Sequence, residues 1–170
     1  MINLTNTFII SQIAVFIAMI FDFASLQFKK REYTFLCLIV SAALISTHYF
    51  LLSRFAAGVI VFFSVLRFTT CYFTTNKKFL VLFLVLNTVS LFFTYKDAYD
   101  FIIYAGSFIF IIGNFQKDNK LMRKQMMIGT SLFIIYNALV GSPMGTLTEA
   151  SFLTSNLIGY YRHYVRKVRK

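Results

Sequence analysis

Apolar residues in this chain fall in long uninterrupted runs, and the polar residues collect in short gaps between them. Seven blocks can be read, at about Asn6–Phe28, Tyr33–Leu52, Phe55–Thr75, Phe79–Tyr95, Phe101–Phe115, Met122–Val140 and Gly145–Tyr164. A helix needs about 20 apolar residues to cross a bilayer, whereas a helix on a water-soluble core needs a polar face that these runs lack. β-branched and aromatic residues are frequent, which in water suggests strands. A transmembrane strand, however, needs only roughly 10 residues and alternates in polarity, and no such alternation is present. The pattern predicts an all-α, polytopic integral membrane protein with seven transmembrane helices in one domain, residues 1–170. The gaps are short, so consecutive helices are expected to be antiparallel neighbours.

Composition sharpens this picture. Hydrophobic residues make up 58% of the chain and charged residues 14%, where a soluble domain carries about 25% charged residues. The formal net charge is +11. Such a surplus also occurs in nucleic-acid binders, but here the basic residues sit in the gaps, where they act as topology signals and contacts for anionic lipid headgroups. No nucleic-acid partner is expected.

Seven crossings place Lys29, Lys30, Arg31, Lys77, Lys78, Lys117, Lys120, Arg123, Lys124, Arg162, Arg166, Lys167, Arg169 and Lys170 on one side, fourteen residues against Arg54 and Lys96 on the other. Cytoplasmic loops carry the excess of Lys and Arg, so the N-terminus is expected outside and the C-terminus in the cytoplasm. No Lys or Arg precedes Lys29, so the first block lacks the positive start of a signal peptide. Cys37 and Cys71 both fall inside apolar blocks, with no CxxC and only two histidines, so neither a disulfide framework nor a zinc site is expected. Cofactors and metals are expected to be none.

An internal repeat is visible at an offset of 87 residues, where Tyr49–Leu66 aligns without a gap on Tyr136–Leu153. Tyr49 matches Tyr136, Leu52 matches Leu139, Gly58 matches Gly145, Ser64 matches Ser151 and Leu66 matches Leu153. Helices 2–3 thereby map onto helices 6–7 with the same orientation, a parallel repeat about an axis along the membrane normal. The simplest architecture is 3-1-3: a first three-helix bundle at 6–75, a linker helix at 79–95, a second bundle at 101–164, and a basic cytoplasmic tail at 165–170. Convergent turn chemistry in a bundle without a repeat is the alternative.

The run His48-Tyr49-Phe50-Leu51-Leu52 through Ala57-Gly58, Arg67, the pair Tyr136-Asn137 through Gly141-Ser142, and Glu149-Ala150-Ser151-Phe152-Leu153 resemble the YgjV-like family of bacterial inner membrane proteins over most of the chain. The resemblance implies the bacterial inner membrane as the location and brings little function. The 3-1-3 plan is also similar to the SWEET, PQ-loop and nicotinamide-riboside transporter group. The Pro-Gln hinge of PQ-loop proteins is absent, since Pro143 is the sole proline and is read as part of an outer turn. A proline-hinged rocking motion is therefore not carried over.

Ionisable groups inside a membrane are costly and mark candidate sites. Arg67 could snorkel to the cytoplasmic headgroups, or hold an anionic group of a substrate, or pair with Asp22 as an ion pair. Glu149 follows Thr146 at capping-box spacing, with a cavity carboxylate as the other reading. His48 reads as a hydrogen-bonded structural histidine or a proton relay. The 87-residue offset pairs Ser64 with Ser151, Arg67 with Thr154 and Thr69 with Asn156. A cavity lined by Ser64, Arg67, Thr69, Ser151, Thr154 and Asn156 is the substrate-binding expectation, with interhelical hydrogen bonding as the bland alternative for each neutral residue. Gly106, Gly113, Gly129 and Gly141 read as close-packing positions, and Tyr33, Tyr49, Tyr95, Tyr99, Tyr160 and Tyr161 as an interfacial belt.

The function these residues suggest is a small-solute transporter or facilitator for a polar or anionic solute. The alternative is a non-transporting membrane scaffold or accessory subunit. No Ser/His/Asp set, paired catalytic carboxylates or metal spacing can be assembled, so no catalytic residue is assigned and an enzyme is not expected. A homo-oligomer is suggested only by analogy with other small transporters of this plan.

Overall fold

The computed structural model describes residues 4–51, 55–95, 98–139 and 143–166. These residues form seven α-helices and no strand: α1 (Leu4–Ser25), α2 (Arg31–Leu51), α3 (Phe55–Phe73), α4 (Lys77–Thr94), α5 (Asp100–Asn114), α6 (Asn119–Leu139) and α7 (Pro143–Tyr160). A π-helical turn, Tyr161–Val165, continues α7. By length and composition, one stretch of the described residues, Thr7–Ser25 in α1, is apolar enough over a sufficient length to cross a membrane, with shorter apolar runs at Val61–Phe73 and Asp100–Asn114.

Local chemistry sets the helix ends, and it moves several of them away from the apolar blocks. α4 begins at Lys77 rather than Phe79 because Asn76 caps it, its side-chain oxygen accepting from the Lys78 backbone N–H at 3.0 Å. α6 begins at Asn119, three residues before the block: the Asp118 side chain accepts from the Lys120 N–H at 2.9 Å and its carbonyl from the Met122 N–H at 2.9 Å. α7 begins at Pro143, which corrects two expectations. Proline suits the first helical position, because its fixed φ is already helical and its missing N–H would have no partner there. Pro143 therefore opens the helix instead of lying in a turn. Thr146 is already inside the first turn, so it does not serve as the cap of a Thr146–Glu149 box. The outer-turn positions Arg54, Lys96, Gly141 and Ser142, and the tail from Lys167 onward, lie outside the described residues.

The chain divides into two compact units, Met1–Phe73 and Thr74–Lys170. In the first, α2 packs on both α1 and α3. The face of α1 turned inward carries Ser11, Ala14, Ala18 and Ser25, and that of α2 carries Thr34, Phe35, Leu38, Ser41, Ala42 and Ser46. Small residues at helical spacing let two backbones approach closely, which is how helices associate where lipid removes the hydrophobic drive. The α2–α3 seam is aromatic: Phe35 and Phe68 lie 6.2 Å apart between ring centroids. Arg31 stacks over Phe35 at 5.1 Å and donates from Nη2 to the Cys71 carbonyl at 3.0 Å. That bond satisfies an acceptor near the C-terminus of α3, where a cation also complements the helix dipole.

In the second unit α6 packs on both α5 and α7, and α4 packs on α5. The α5–α6 seam is built on glycine. A Cβ on Gly129 would stand 2.8 Å from the Gly106 carbonyl oxygen, and one on Gly106 would stand 2.8 Å from the Phe133 ring. α4 is tied to α5 by polar contacts, with Ser107 Oγ donating to Asn87 Oδ1 at 2.8 Å and the Thr88 and Tyr104 hydroxyls 3.0 Å apart.

Large apolar side chains stay exposed on α1 (Phe8, Ile9, Ile10, Ile13, Phe16, Ile20, Phe23) and on α4 (Val81, Leu82, Val85, Val89, Phe92, Phe93). Apolar faces of this kind, one in each unit, are not ones that a monomeric soluble protein presents to water. Tyr33, Tyr95, Tyr99 and Tyr161 are exposed, Tyr160 is half-buried, and the side chain of Tyr49 lies outside the described residues.

Candidate solute-contact site

Of the residues singled out from the sequence, Asp22, His48, Ser64, Arg67 and Thr69 belong to the first unit, and Glu149, Ser151, Thr154 and Asn156 to the second.

Arg67 sits in α3, two turns before its end, and is half-buried. Its guanidinium lies over the Phe68 ring at 5.0 Å, and Nη2 reaches the Ser64 hydroxyl one turn back at 3.5 Å, a long contact. Nε is covered by protein and has no acceptor. Asp22 does not neutralise it. The Asp22 side chain faces Ser41 and Cys37 on α2, because α2 packs against both α1 and α3 and each of them presents its inner face to it. The two ionisable groups offered as a pair therefore belong to different seams.

His48 Nδ1 lies 3.1 Å from the Ser11 carbonyl oxygen, joining α2 to α1, the contact expected of a hydrogen-bonded histidine. Thr69 and Thr154 bond back to their own helices, Thr69 Oγ1 donating to the Val65 carbonyl and Thr154 Oγ1 to the Ala150 carbonyl, each at 2.8 Å. Thr154 is exposed, while Ser151 and Glu149 are half-buried on α7.

Asn156 is fully buried, and its Nδ2 donates to the Arg123 carbonyl at 3.0 Å, linking α7 to α6. Its Oδ1 is covered and without a donor. Arg123, read from the sequence as one of the basic residues marking a cytoplasmic gap, is instead fully buried at 0% exposure. It is the largest side chain so enclosed among the described residues. Its guanidinium donates to the Tyr164 hydroxyl, which the π-helical turn after α7 carries, and Arg162 is close by. π-turns recur where a helix must aim a side chain that regular α geometry would misplace. The signal for Arg123 was present in the spacing. Met122, Arg123, Met126, Gly129 and Thr130 form one buried stripe along α6, so the arginine shares the register of the packed face.

The fold and these polar groups define a class: an all-helical protein with apolar outer faces and ionisable side chains set inside its helices. The match to known families agrees. The model of the Imp-YgjV family, described as a bacterial inner membrane protein, matches residues 9–167, and the chain belongs to that family. Comparisons with curated proteins and with solved structures return no match.

Proposed function

We propose that this inner membrane protein is a small-solute facilitator that crosses the bilayer seven times, with its N-terminus outside and its C-terminus in the cytoplasm. The observation that carries the reading is Arg67, a guanidinium within an apolar helix whose Nε has no acceptor. An ionisable group at that depth is costly unless it is used, and a solute with an anionic group is the use its charge fits. The order of packing supports a 3-1-3 repeat, since α2 holds α1 and α3 in the first unit as α6 holds α5 and α7 in the second. The fourteen-to-two distribution of Lys and Arg supports the orientation. In this reading the chain catalyses no covalent step, and its partners are the bilayer, anionic headgroups on the cytoplasmic side and the solute.

The test is uptake into proteoliposomes from a broad panel of polar metabolites. Flux of at least one anionic member, lost in Arg67→Gln, is the expected result. Folded protein that moves no member of the panel would defeat the proposal.

A non-transporting scaffold or accessory subunit is the second reading, and specific bonds favour it. Thr69, Thr154 and Asn156 spend their donors on protein carbonyls, as polar residues that only join helices do. Recovery of a stable stoichiometric partner from mild detergent, together with absence of flux, would select this reading.

A further inference from the structure

The edge of the Arg67 guanidinium that faces Ser64 is better specified than its charge alone. In arginine, the Nε–H and one Nη2–H point the same way and form a two-pronged donor edge that matches a pair of oxygens on one atom. Among the described residues Nη2 is held only by the 3.5 Å contact to Ser64 Oγ, and Nε has no acceptor. Phe68 covers one face of the guanidinium at 5.0 Å, and Phe68 is backed by the fully buried Phe35, 6.2 Å away between centroids. The aromatic pair blocks approach on that face, and on the edge side Nε is covered by protein that a ligand has to displace. Arg67 is half-buried, and binding through this edge requires a rotation about its Cδ–Nε bond that turns the covered Nε–H towards the incoming group.

We propose that this edge binds the carboxylate of a small monocarboxylic acid, its two oxygens taking Nε–H and Nη2–H, with the Ser64 hydroxyl as a third donor. The proposal deepens the facilitator reading and rests on it for the identity of the solute. Two guanidinium donors share that edge beside the Ser64 hydroxyl, and among the described residues the Ser64 oxygen is the one acceptor they reach. A single negative charge neutralises a single guanidinium, whereas a doubly charged phosphate monoester would carry an uncompensated charge into the apolar span. A charge-assisted bond at ordinary length is stronger than the long neutral contact to Ser64, so the ligand displaces that contact. Lysine offers a point charge and no parallel pair of donors, so it does not replace arginine here.

The experiment uses the full chain in nanodiscs of phosphatidylcholine, titrated calorimetrically with acetate, pyruvate and benzoate, and with acetamide and benzamide as neutral counterparts. At least one carboxylate is expected to bind at least tenfold more tightly than its amide. Arg67→Lys should weaken that binding at least tenfold, and Ser64→Ala about threefold, with thermal midpoints unchanged to show that the variants fold. Absence of carboxylate binding to the folded chain, or equal binding by Arg67→Lys, overturns the proposal. A parallel arm with phosphatidylglycerol separates the lipid source of an anion: if Arg67→Lys releases that lipid while no carboxylate binds, the edge belongs to a headgroup phosphate and the proposal fails. Carboxylate binding that depends on Arg67 without flux would defeat the facilitator reading and keep the site. Flux that is indifferent to Arg67→Lys would do the reverse.

Discussion

The two units join their helices by different chemistry. In the first, the seam between α1 and α2 is lined by alanine and by the hydroxyls of Ser11, Ser25, Thr34, Ser41 and Ser46, and Arg67, within the apolar helix α3, lacks an acceptor at Nε. In the second, glycines bring α5 and α6 into backbone contact, and Arg123 is enclosed, its Nε also covered without an acceptor while the guanidinium is bonded to Tyr164. The two arginines thus share a covered Nε and differ in their remaining donors, where Arg123 reaches Tyr164 and Arg67 makes the long contact to Ser64. The difference shows that an arginine's role follows from how its donors are used, since both residues belong to a helix and both lie against aromatic or amide groups.

The largest expected effect tests that contrast directly. Arg123→Ala removes a fully enclosed side chain and the donor to Tyr164, and should cost about 3–5 kcal/mol, seen as loss of monodispersity or a large fall in the thermal midpoint in detergent. Arg67→Met should change stability by less than about 1 kcal/mol in either direction, because it removes a charge that no acceptor compensates at Nε while keeping the stack on Phe68 apolar. Equal losses from both substitutions would erase the distinction between the units.

The glycine seam comes next. Gly129→Ala places a methyl 2.8 Å from a backbone oxygen that cannot swing aside, so the helices must separate, at about 2 kcal/mol. Gly113→Ala meets the Gln125 Cβ at 3.0 Å and the nearest backbone oxygen only at 3.4 Å, so it should cost less. Paired denaturation curves decide the order.

How much of this was legible in the sequence depends on which force sets each feature. The helices were, since long apolar blocks and polar gaps follow from burial in lipid, and each block does contain a helix. Their ends were less so: Asn76 and Asp118 cap α4 and α6, and a reading that starts each helix at its first apolar residue passes over such caps. The placement of Arg67 within an apolar helix could be seen from its neighbours. Its separation from Asp22 could not, because periodicity places each residue on its own helix but does not say which seam that face enters. Arg123 was missed for a related reason. Counting positive charges by side treats every basic residue near a gap as solvated, whereas the stripe it shares with Met122, Met126 and Gly129 marks it as packed.

A smaller effect concerns α4, which the repeat treats as a connector. Ser107→Ala removes the donor to Asn87 and should weaken the second unit by about 1 kcal/mol, the usual size of an interhelical hydrogen bond in a membrane protein. Hydrogen exchange along α4 would report it: faster exchange in the variant shows that the bond anchors α4 to α5, and unchanged exchange shows that the apolar contacts of Phe83 with Phe115 suffice.

The smallest expected effects come from Thr69 and Thr154, two candidates for a solute-lined path that fall in different units. Each hydroxyl is already satisfied by the carbonyl one turn back, at 2.8 Å. Replacing either by valine keeps the volume and removes a bond internal to the helix, so stability should change by less than about 0.5 kcal/mol. If solute contact in the first unit is concentrated on the Arg67 edge, Thr69→Val should leave flux within twofold of the parent, and Thr154→Val the same. Ser64→Ala, one turn from Arg67 and bonded to it only weakly, should lower flux more than either threonine change. Loss of flux in Thr69→Val at unchanged stability would mean that its hydroxyl exchanges the helix carbonyl for the solute, which would widen the site along α3 and weaken the case for a recognition edge confined to one arginine.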